Sequence, residues 1–393
     1  MQVLLKRTTF IQWVTVTAVL FSGQFFSGEV FSAEVLSEER FSKEPLSNVA
    51  TAQTDKYVLP VHYSGRVLVE KQDQLTTYTY SWPGVYFEAE FNGPALDVRL
   101  NDTNNILNII IDDKEPIVLN RPGKTTYSLN NLGEGRHKVR LEKRTETHVG
   151  TGTFEGFYVS AKESVLAPAS RQRSIEFIGD SFSAGYANLS TSRECDGEAI
   201  FSTTNTHQTF GALTAKHFNA DYQINAISGS GVVRNYNGAF PDKNFVQFYP
   251  YTILGDTTNK YESAWSPDII VLELGGNDFA TPLNPGEKWK NREALQRDYI
   301  ENYTAFILDL RKKNPRAGLI LVVPSMGSDE LLQQHTKVKE QLKTRGETRV
   351  QLLTTGPMEL TSCHWHPSVK DHQAVSQMLV DFINATPEIW KGK

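Results

Sequence analysis

The sequence predicts an all-β sandwich followed by an α/β domain whose parallel sheet is covered by helices on both faces. Two changes of texture and a set of turn segments predict it. From Tyr57 to about Ser164 the chain runs in short stretches of period-two alternation broken by turn residues. From Ser174 onward, continuous apolar strands alternate with helical stretches, the signature of strands buried on both sides. Several of those strands end directly in Gly-, Ser- or Asn-containing segments, and sites in open α/β sheets lie beyond the carboxyl ends of strands.

The elements follow in order. Lys6 and Arg7 precede an apolar stretch from about Phe10 to Phe26, which closes on small residues at Ser32-Ala33. This is the pattern of a secretory signal, residues 1–33, cleaved near Ala33; an uncleaved anchor helix is the alternative. The stretch is short for a membrane span and is interrupted by polar residues. A Ser/Glu-rich lead-in without periodicity occupies 34–56. The sandwich is expected over 57–165, with strands such as 85–91, 96–100, 106–111, 135–141 and 154–159. No pairing of a nucleophile with a base stands out there, so the module is expected to support or bind. The catalytic domain is expected over 171–393. Its strands are placed at 175–178, 222–227, 268–274, 318–323 and 350–353, and its helices at 206–218, 291–313, 329–344 and 367–384.

Composition narrows the class. The chain has 393 residues, 39% hydrophobic and 22% charged, with a net charge of −5 and both signs interspersed. That balance speaks against a nucleic-acid partner or a polybasic membrane surface.

Four segments follow strands or open a helix. Gly179-Asp180-Ser181-Phe182 puts a serine where a buried strand turns sharply toward a helix, a position in which hydroxyls become nucleophiles once a histidine reaches them. Ser228-Gly229-Ser230-Gly231 lets backbone approach a substrate and aim N–H groups at it. Gly275-Gly276-Asn277-Asp278 offers a side-chain amide to an oxyanion; Asn277-Asp278 as a helix N-cap pair is the plainer alternative. Cys363-His364-Trp365-His366-Pro367 precedes the last helix, with Pro367 suited to its first position. The His-x-His pair has no carboxylate or thiolate partners at ligand spacing, so no metal or other cofactor is expected. Singly each segment is explained by structure. Jointly they set a hydroxyl (Ser181), an oxyanion hole (the Ser181 and Gly229 N–H groups and the Asn277 amide) and an imidazole base (His366) at one rim of a sheet.

On these motifs the chain resembles the SGNH (GDSL) hydrolases. It is similar in particular to carbohydrate esterase family 2, through Ile175–Ser181, Gly185-Tyr186-Ala187-Asn188, the run from Ser228 to Tyr236, and Cys363–Ser368. The resemblance implies a jelly-roll-like sandwich ahead of a flavodoxin-like hydrolase domain. It also implies removal of O-acetyl groups from plant cell-wall polysaccharide such as xylan or glucomannan. Ser181 would be the nucleophile and His366 the base, in a secreted or periplasmic protein. Two rival readings are an SGNH esterase acting on lipid or peptidoglycan acyl groups and a carbohydrate-binding protein with a weakened esterase site.

The chain departs from the family at His364, where an aspartate two positions before the base is usual. Either a backbone carbonyl orients His366 in a Ser–His dyad, or a carboxylate arrives from elsewhere, with Asp278 and Glu359 the candidates. Asp180 is expected to be structural. Tyr236, Trp265 and Trp365 are candidate platforms for a sugar ring, since apolar ring faces pack on aromatic planes. A Cys195–Cys363 disulfide, with two separate thiols as the alternative, is expected to tie the loop after the nucleophile helix to the base loop.

Overall fold

Most strands after Arg173 are apolar on both sides because helices cover both faces of their sheet, whereas Ala220–Ala226 turns Asp221, Gln223 and Asn225 to one face. In the computed structural model, which describes residues 56–73, 75–325 and 329–390, five parallel strands run in the order Ala220–Ala226, Arg173–Gly179, Ile269–Glu273, Gly318–Val323, Val350–Thr354. Neighbouring residues point to opposite faces. Ile178, Ile270, Leu272, Leu319 and Leu321 enter one core, with Leu295, Tyr299, Tyr303, Ile307 and Leu310 from the helix Arg292–Lys313 and Val338 and Leu342 from Glu330–Thr344. Ile175, Phe177, Val271, Ile320 and Val322 enter the other, with Phe210–His217 and Val369–Ala385. The spacing 295, 299, 303, 307, 310 is one helical stripe, which is why this stretch is a helix and not a strand. Asn291 caps it, accepting a hydrogen bond from the Ala294 N–H.

Ahead of this layer two antiparallel sheets face each other. One pairs Val67–Gln72, Leu75–Tyr80, Gly152–Val159, Leu96–Asp102 and Gly123–Leu129 in that order, with Tyr57–Val58 added to Gly152–Val159. The other runs His62–Ser64, Tyr86–Asn92, Arg136–Lys143, Ile106–Ile111, Ile117–Asn120. Their inward residues, among them Phe87, Val98, Leu100, Ile109, Leu141 and Phe154, form a third core. This antiparallel region followed by a parallel sheet with helices is the architecture expected from the sequence.

The two layers meet over a polar surface. Arg140 donates to Glu88, Glu142 and the Tyr222 hydroxyl, Arg171 bridges Glu88 and Asp221, and the Tyr86 hydroxyl donates to Asp221 at 2.6 Å. Buried charges of both signs are thus mutually satisfied, the condition for keeping them out of water. Among the described residues no helix is long and apolar enough to cross a membrane. The expected signal and almost all of the expected lead-in lie outside the described residues.

The last helix begins later than expected. Ser368 is its N-cap, accepting from the Asp371 N–H while the Asp371 carboxylate accepts from the Ser368 N–H. This capping box outcompetes a proline start, so Pro367 lies before the helix and His366 stands in extended backbone.

Candidate active site

Strand Arg173–Gly179 ends in a one-turn helix, Ser181–Ala184, with Asp180 as its N-cap accepting from the Phe182 N–H at 3.2 Å. Glycine is needed at 179, because a Cβ there would lie 2.0 Å from the Ser183 Oγ. The turn puts Ser181 beyond the carboxyl end of its strand. The Ser181 Oγ lies 2.9 Å from the His366 Nε2.

The imidazole is set by its other nitrogen. His366 Nδ1 lies 3.0 Å from the Cys363 carbonyl oxygen and 3.2 Å from that of His364. Carbonyls only accept, so Nδ1 carries the proton and Nε2 presents a lone pair to the serine hydroxyl. The two carbonyls converge because His364 and Trp365 both have left-handed backbone, φ +53° and +58°. Two bulky residues in succession there are strained, and such strain persists only where surroundings impose it. Three contacts do so. Cys363 is bonded to Cys195, with Cα atoms 5.6 Å apart; the His364 N–H donates to the Arg193 carbonyl at 2.8 Å; and the Tyr186 hydroxyl bonds His364 Nδ1 at 2.9 Å. Tyr186 also stacks on the His366 ring at 4.2 Å, with Phe182 edge-on at 5.6 Å. Burial between these rings pushes the His366 pKa down to about 4, so the ring is neutral at physiological pH.

Among the described residues no carboxylate faces His366 Nδ1, which corrects both candidates. The Asp278 carboxylate accepts the N–H groups of Val232, Val233 and Arg234 at 2.8, 2.8 and 2.9 Å. Burial pushes it up to about 6 despite these bonds. The Glu359 carboxylate pairs with Lys370 at the surface. Asn277 and Asp278 are not an N-cap pair either; they lie inside the short helix Gly276–Phe279.

Gly229, whose carbonyl accepts from the N–H of the pocket residue Tyr236, has φ +74° in a turn also held by Ser230 N–H to the Ile227 carbonyl. Neither the Ser181 nor the Gly229 backbone N–H has an acceptor among the described residues. Asn277 lines the same pocket, but its amide donates to the Asp180 carboxylate at 2.9 Å and the Ser230 carbonyl at 3.0 Å. Asp180 and Glu273 lie behind it, and burial beside other acids pushes both carboxyls up. The pocket, about 230 Å³, is walled by Ser181, Asn277, His366, Tyr236 and Trp365. Trp365 and Tyr236 are 62% and 54% exposed at its rim. Trp265 is elsewhere: its segment meets the amino end of the sheet, where the neighbouring Ser266 carbonyl accepts from Ser174. Trp265 is therefore withdrawn as a sugar platform. Among the described residues no three His, Cys, Asp or Glu side chains gather as a metal-ligand set.

Comparison with known proteins bears on this geometry. Residues 63–168 match the carbohydrate esterase 2 N-terminal family, and residues 177–348 match the GDSL-like lipase/acylhydrolase family. A curated acetylxylan esterase / glucomannan deacetylase of Cellvibrio japonicus is 46% identical over 346 residues, covering 88% of this chain and 96% of the relative. This chain belongs to carbohydrate esterase family 2. It is accordingly a carboxylic-ester hydrolase of carbohydrate esterase type. A solved carbohydrate esterase, described for divergent catalytic and non-catalytic binding functions of its active site, is 46% identical. It superposes with a TM-score of 0.81 over 85% of this chain and all of the other. A family two carbohydrate esterase from Clostridium thermocellum, solved in complex with cellohexaose, is 27% identical with a TM-score of 0.74, over 84% of this chain and all of the other.

Several residues of this family 2 esterase site were missed in the sequence. Tyr186 stands five positions past Ser181, just beyond the Gly185 cap, where its N–H donates to the Ser181 carbonyl at 3.1 Å. Asp278 meets the 232–234 backbone and not His366, because a carboxylate's targets depend on which loop folds over it. Arg193, whose carbonyl anchors His364 and whose guanidinium holds the Glu359 and Leu360 carbonyls, carries no local signal.

Proposed function

We propose that this protein is an exported acetyl esterase that removes O-acetyl groups from plant cell-wall polysaccharide, xylan or glucomannan, through an acetyl-enzyme on Ser181. The observation that carries the reading is the 2.9 Å contact between Ser181 Oγ and a His366 whose Nδ1 proton is held by two backbone carbonyls. Ser181 Oγ attacks the acetyl carbonyl carbon as its proton passes to His366 Nε2. The tetrahedral oxyanion accepts hydrogen bonds from the Ser181 and Gly229 N–H groups and from the Asn277 amide, which gives up its contact to Ser230. Collapse breaks the bond to the sugar oxygen, which leaves with the proton from His366. Water then repeats the sequence on the acetyl-enzyme and releases acetate. The imidazolium that forms in each step is stabilised by the Cys363 and His364 carbonyls, a dyad in which backbone dipoles stand where a carboxylate is usual.

The name of the Cellvibrio relative supports the substrate class, as does the cellohexaose held by the Clostridium enzyme. Trp365 and Tyr236, both exposed and both lining the pocket, suit stacking on pyranose faces. Export is supported by the basic-apolar-small pattern at 1–33 and by the disulfide, since disulfides persist in oxidising compartments. The test is acetate release from acetylated xylan, acetylated glucomannan and O-acetylated peptidoglycan, with Ser181→Ala as control. Release from the plant glycans that the control lacks is expected. Preference for peptidoglycan overturns the substrate assignment, and undiminished release by Ser181→Ala overturns the mechanism.

A further inference from the structure

The strand Arg136–Lys143 of the sandwich leads into a short turn, Thr147–Val149, that reaches the parallel-sheet layer beside the Gly229 loop. At its N-cap position Glu146 is buried, 3% exposed, and its Oε1 accepts a hydrogen bond from the Ser228 hydroxyl at 2.8 Å. Ser228 directly precedes Gly229, so the peptide carrying the Gly229 N–H hangs between two tethers. One is this bond on the Ser228 side; the other is the bond from the Tyr236 N–H to the Gly229 carbonyl at 2.8 Å. Gly229 needs that support. Its φ of +74° is a conformation that costs glycine little and gives it freedom to leave, and a Cβ there would touch nothing within 4 Å, so packing does not hold it.

The carboxylate is itself firmly placed. Lys143, fully buried, donates to the Thr145 and Glu146 carbonyls at 2.6 and 2.9 Å and ties the turn to itself. The Thr206 N–H donates to the Arg144 carbonyl at 3.1 Å, and the Arg144 guanidinium reaches the Ser202 and Thr204 carbonyls. His207 Nε2 lies 3.0 Å from the Lys143 carbonyl. On the outer side His148 Nδ1 lies 3.0 Å from Glu146 Oε2 without a hydrogen bond between them. The turn is therefore fastened to the parallel-sheet layer at points other than Ser228, and Glu146 works from a rigid base. Burial pushes the Glu146 pKa up, and the hydrogen bond from Ser228 opposes that rise by favouring the carboxylate.

From this geometry we infer that the sandwich completes the esterase site: Glu146 is a positioning residue that, through Ser228, holds the Gly229 N–H where the oxyanion forms. The inference rests on the serine-esterase reading above. It gives the N-terminal module a part in turnover beyond packing, although none of its described residues lines the pocket.

The experiment uses the full chain with Glu146→Ala, Glu146→Gln, Ser228→Ala and the Glu146→Ala/Ser228→Ala pair. Steady-state kinetics on 4-nitrophenyl acetate, affinity for a phenylboronic acid that forms a tetrahedral adduct on serine, and thermal unfolding are measured together. Loss of an aimed oxyanion donor lowers kcat and not ground-state binding. Each alanine variant is expected to lose roughly tenfold in kcat with KM within about twofold, and roughly tenfold in boronate affinity. The pair is expected to be no worse than either single, because both changes remove one bond. Glu146→Gln retains an acceptor for Ser228 and is expected to recover kcat to within about threefold of the parent. A folded Glu146→Ala with parental kcat overturns the inference, as does a pair whose losses multiply or a Gln variant as slow as Ala. Should Glu146→Ala not fold, Ser228→Ala and Glu146→Gln decide, and parental kcat in Ser228→Ala overturns it. Failure of the underlying reading looks different: Ser181→Ala would then keep its esterase activity.

Discussion

The loop bearing Gly229 is held by carboxylates, whereas the loop bearing His366 is held by backbone carbonyls and a disulfide. On the Gly229 side, Asp278 gathers three consecutive N–H groups and Glu146 takes the Ser228 hydroxyl. On the His366 side, the Cys363 and His364 carbonyls face Nδ1, and Cys195, Arg193 and Tyr186 fix the strained backbone that aims them. The difference follows from what each side must present. N–H donors are organised by anions placed behind them, and an imidazole N–H is organised by acceptors. A carbonyl does this second task without a charge, and the cost moves from burying a carboxylate to straining two residues. Absence of aspartate at 364 therefore leaves the histidine oriented.

Substitutions on both sides test the comparison. Ser181→Ala and His366→Ala are expected to lower kcat on an acetyl ester by at least about 10⁴-fold with the fold kept, read by steady-state kinetics and circular dichroism. Next in size is Asn277→Ala, expected to cost on the order of 10²-fold in kcat at nearly constant KM; an unchanged kcat would mean that the amide stays on Asp180 and Ser230 throughout turnover. Opening the disulfide, by Cys195→Ser or a reductant, is expected to lower kcat roughly tenfold by loosening the Cys363 carbonyl, and to lower the unfolding temperature. The entropic estimate for so long a loop is about 5 kcal/mol.

Smaller effects sharpen the contrast. His364→Asp keeps the carbonyl that faces His366, and aspartate tolerates left-handed backbone, so kcat is expected within about threefold of the parent. A collapse of activity in a folded His364→Asp protein would make the His364 ring, and not its carbonyl, the group that matters. The smallest change expected is with pH. His366 must be neutral to accept the serine proton, and burial lowers its pKa to about 4, so the base is lost only as pH falls through that value. Between pH 7 and pH 5 the limb of kcat/KM set by His366 is expected to fall less than about twofold, where an ordinary histidine near 6.5 would lose roughly thirtyfold. A midpoint near 6.5 would show that the ring is more hydrated than its contacts with Tyr186 and Phe182 imply.

Much of the fold was legible because burial leaves a periodic trace. The parallel strands were placed within one or two residues, and the helix Arg292–Lys313 within one. Ser181, Gly229 and Asn277 were legible as candidates because each directly follows such a strand. Trp265 was misplaced because exposure of an aromatic depends on which end of the sheet its loop caps. Pro367 was misplaced because the Ser368/Asp371 capping box sets the helix start.

The sequence by itself determined the two layers and which side chains stand at the carboxyl rim, since local periodicity and turn chemistry act over a few residues. Only the tertiary structure decided what orients each of them. Asp278 meets the 232–234 backbone, and Glu146 meets Ser228 from another module, whereas the Cys195–Cys363 bond is one long-range contact expected from the sequence. Hydrogen bonds of that span depend on the packing of whole layers, and no run of neighbouring residues encodes them.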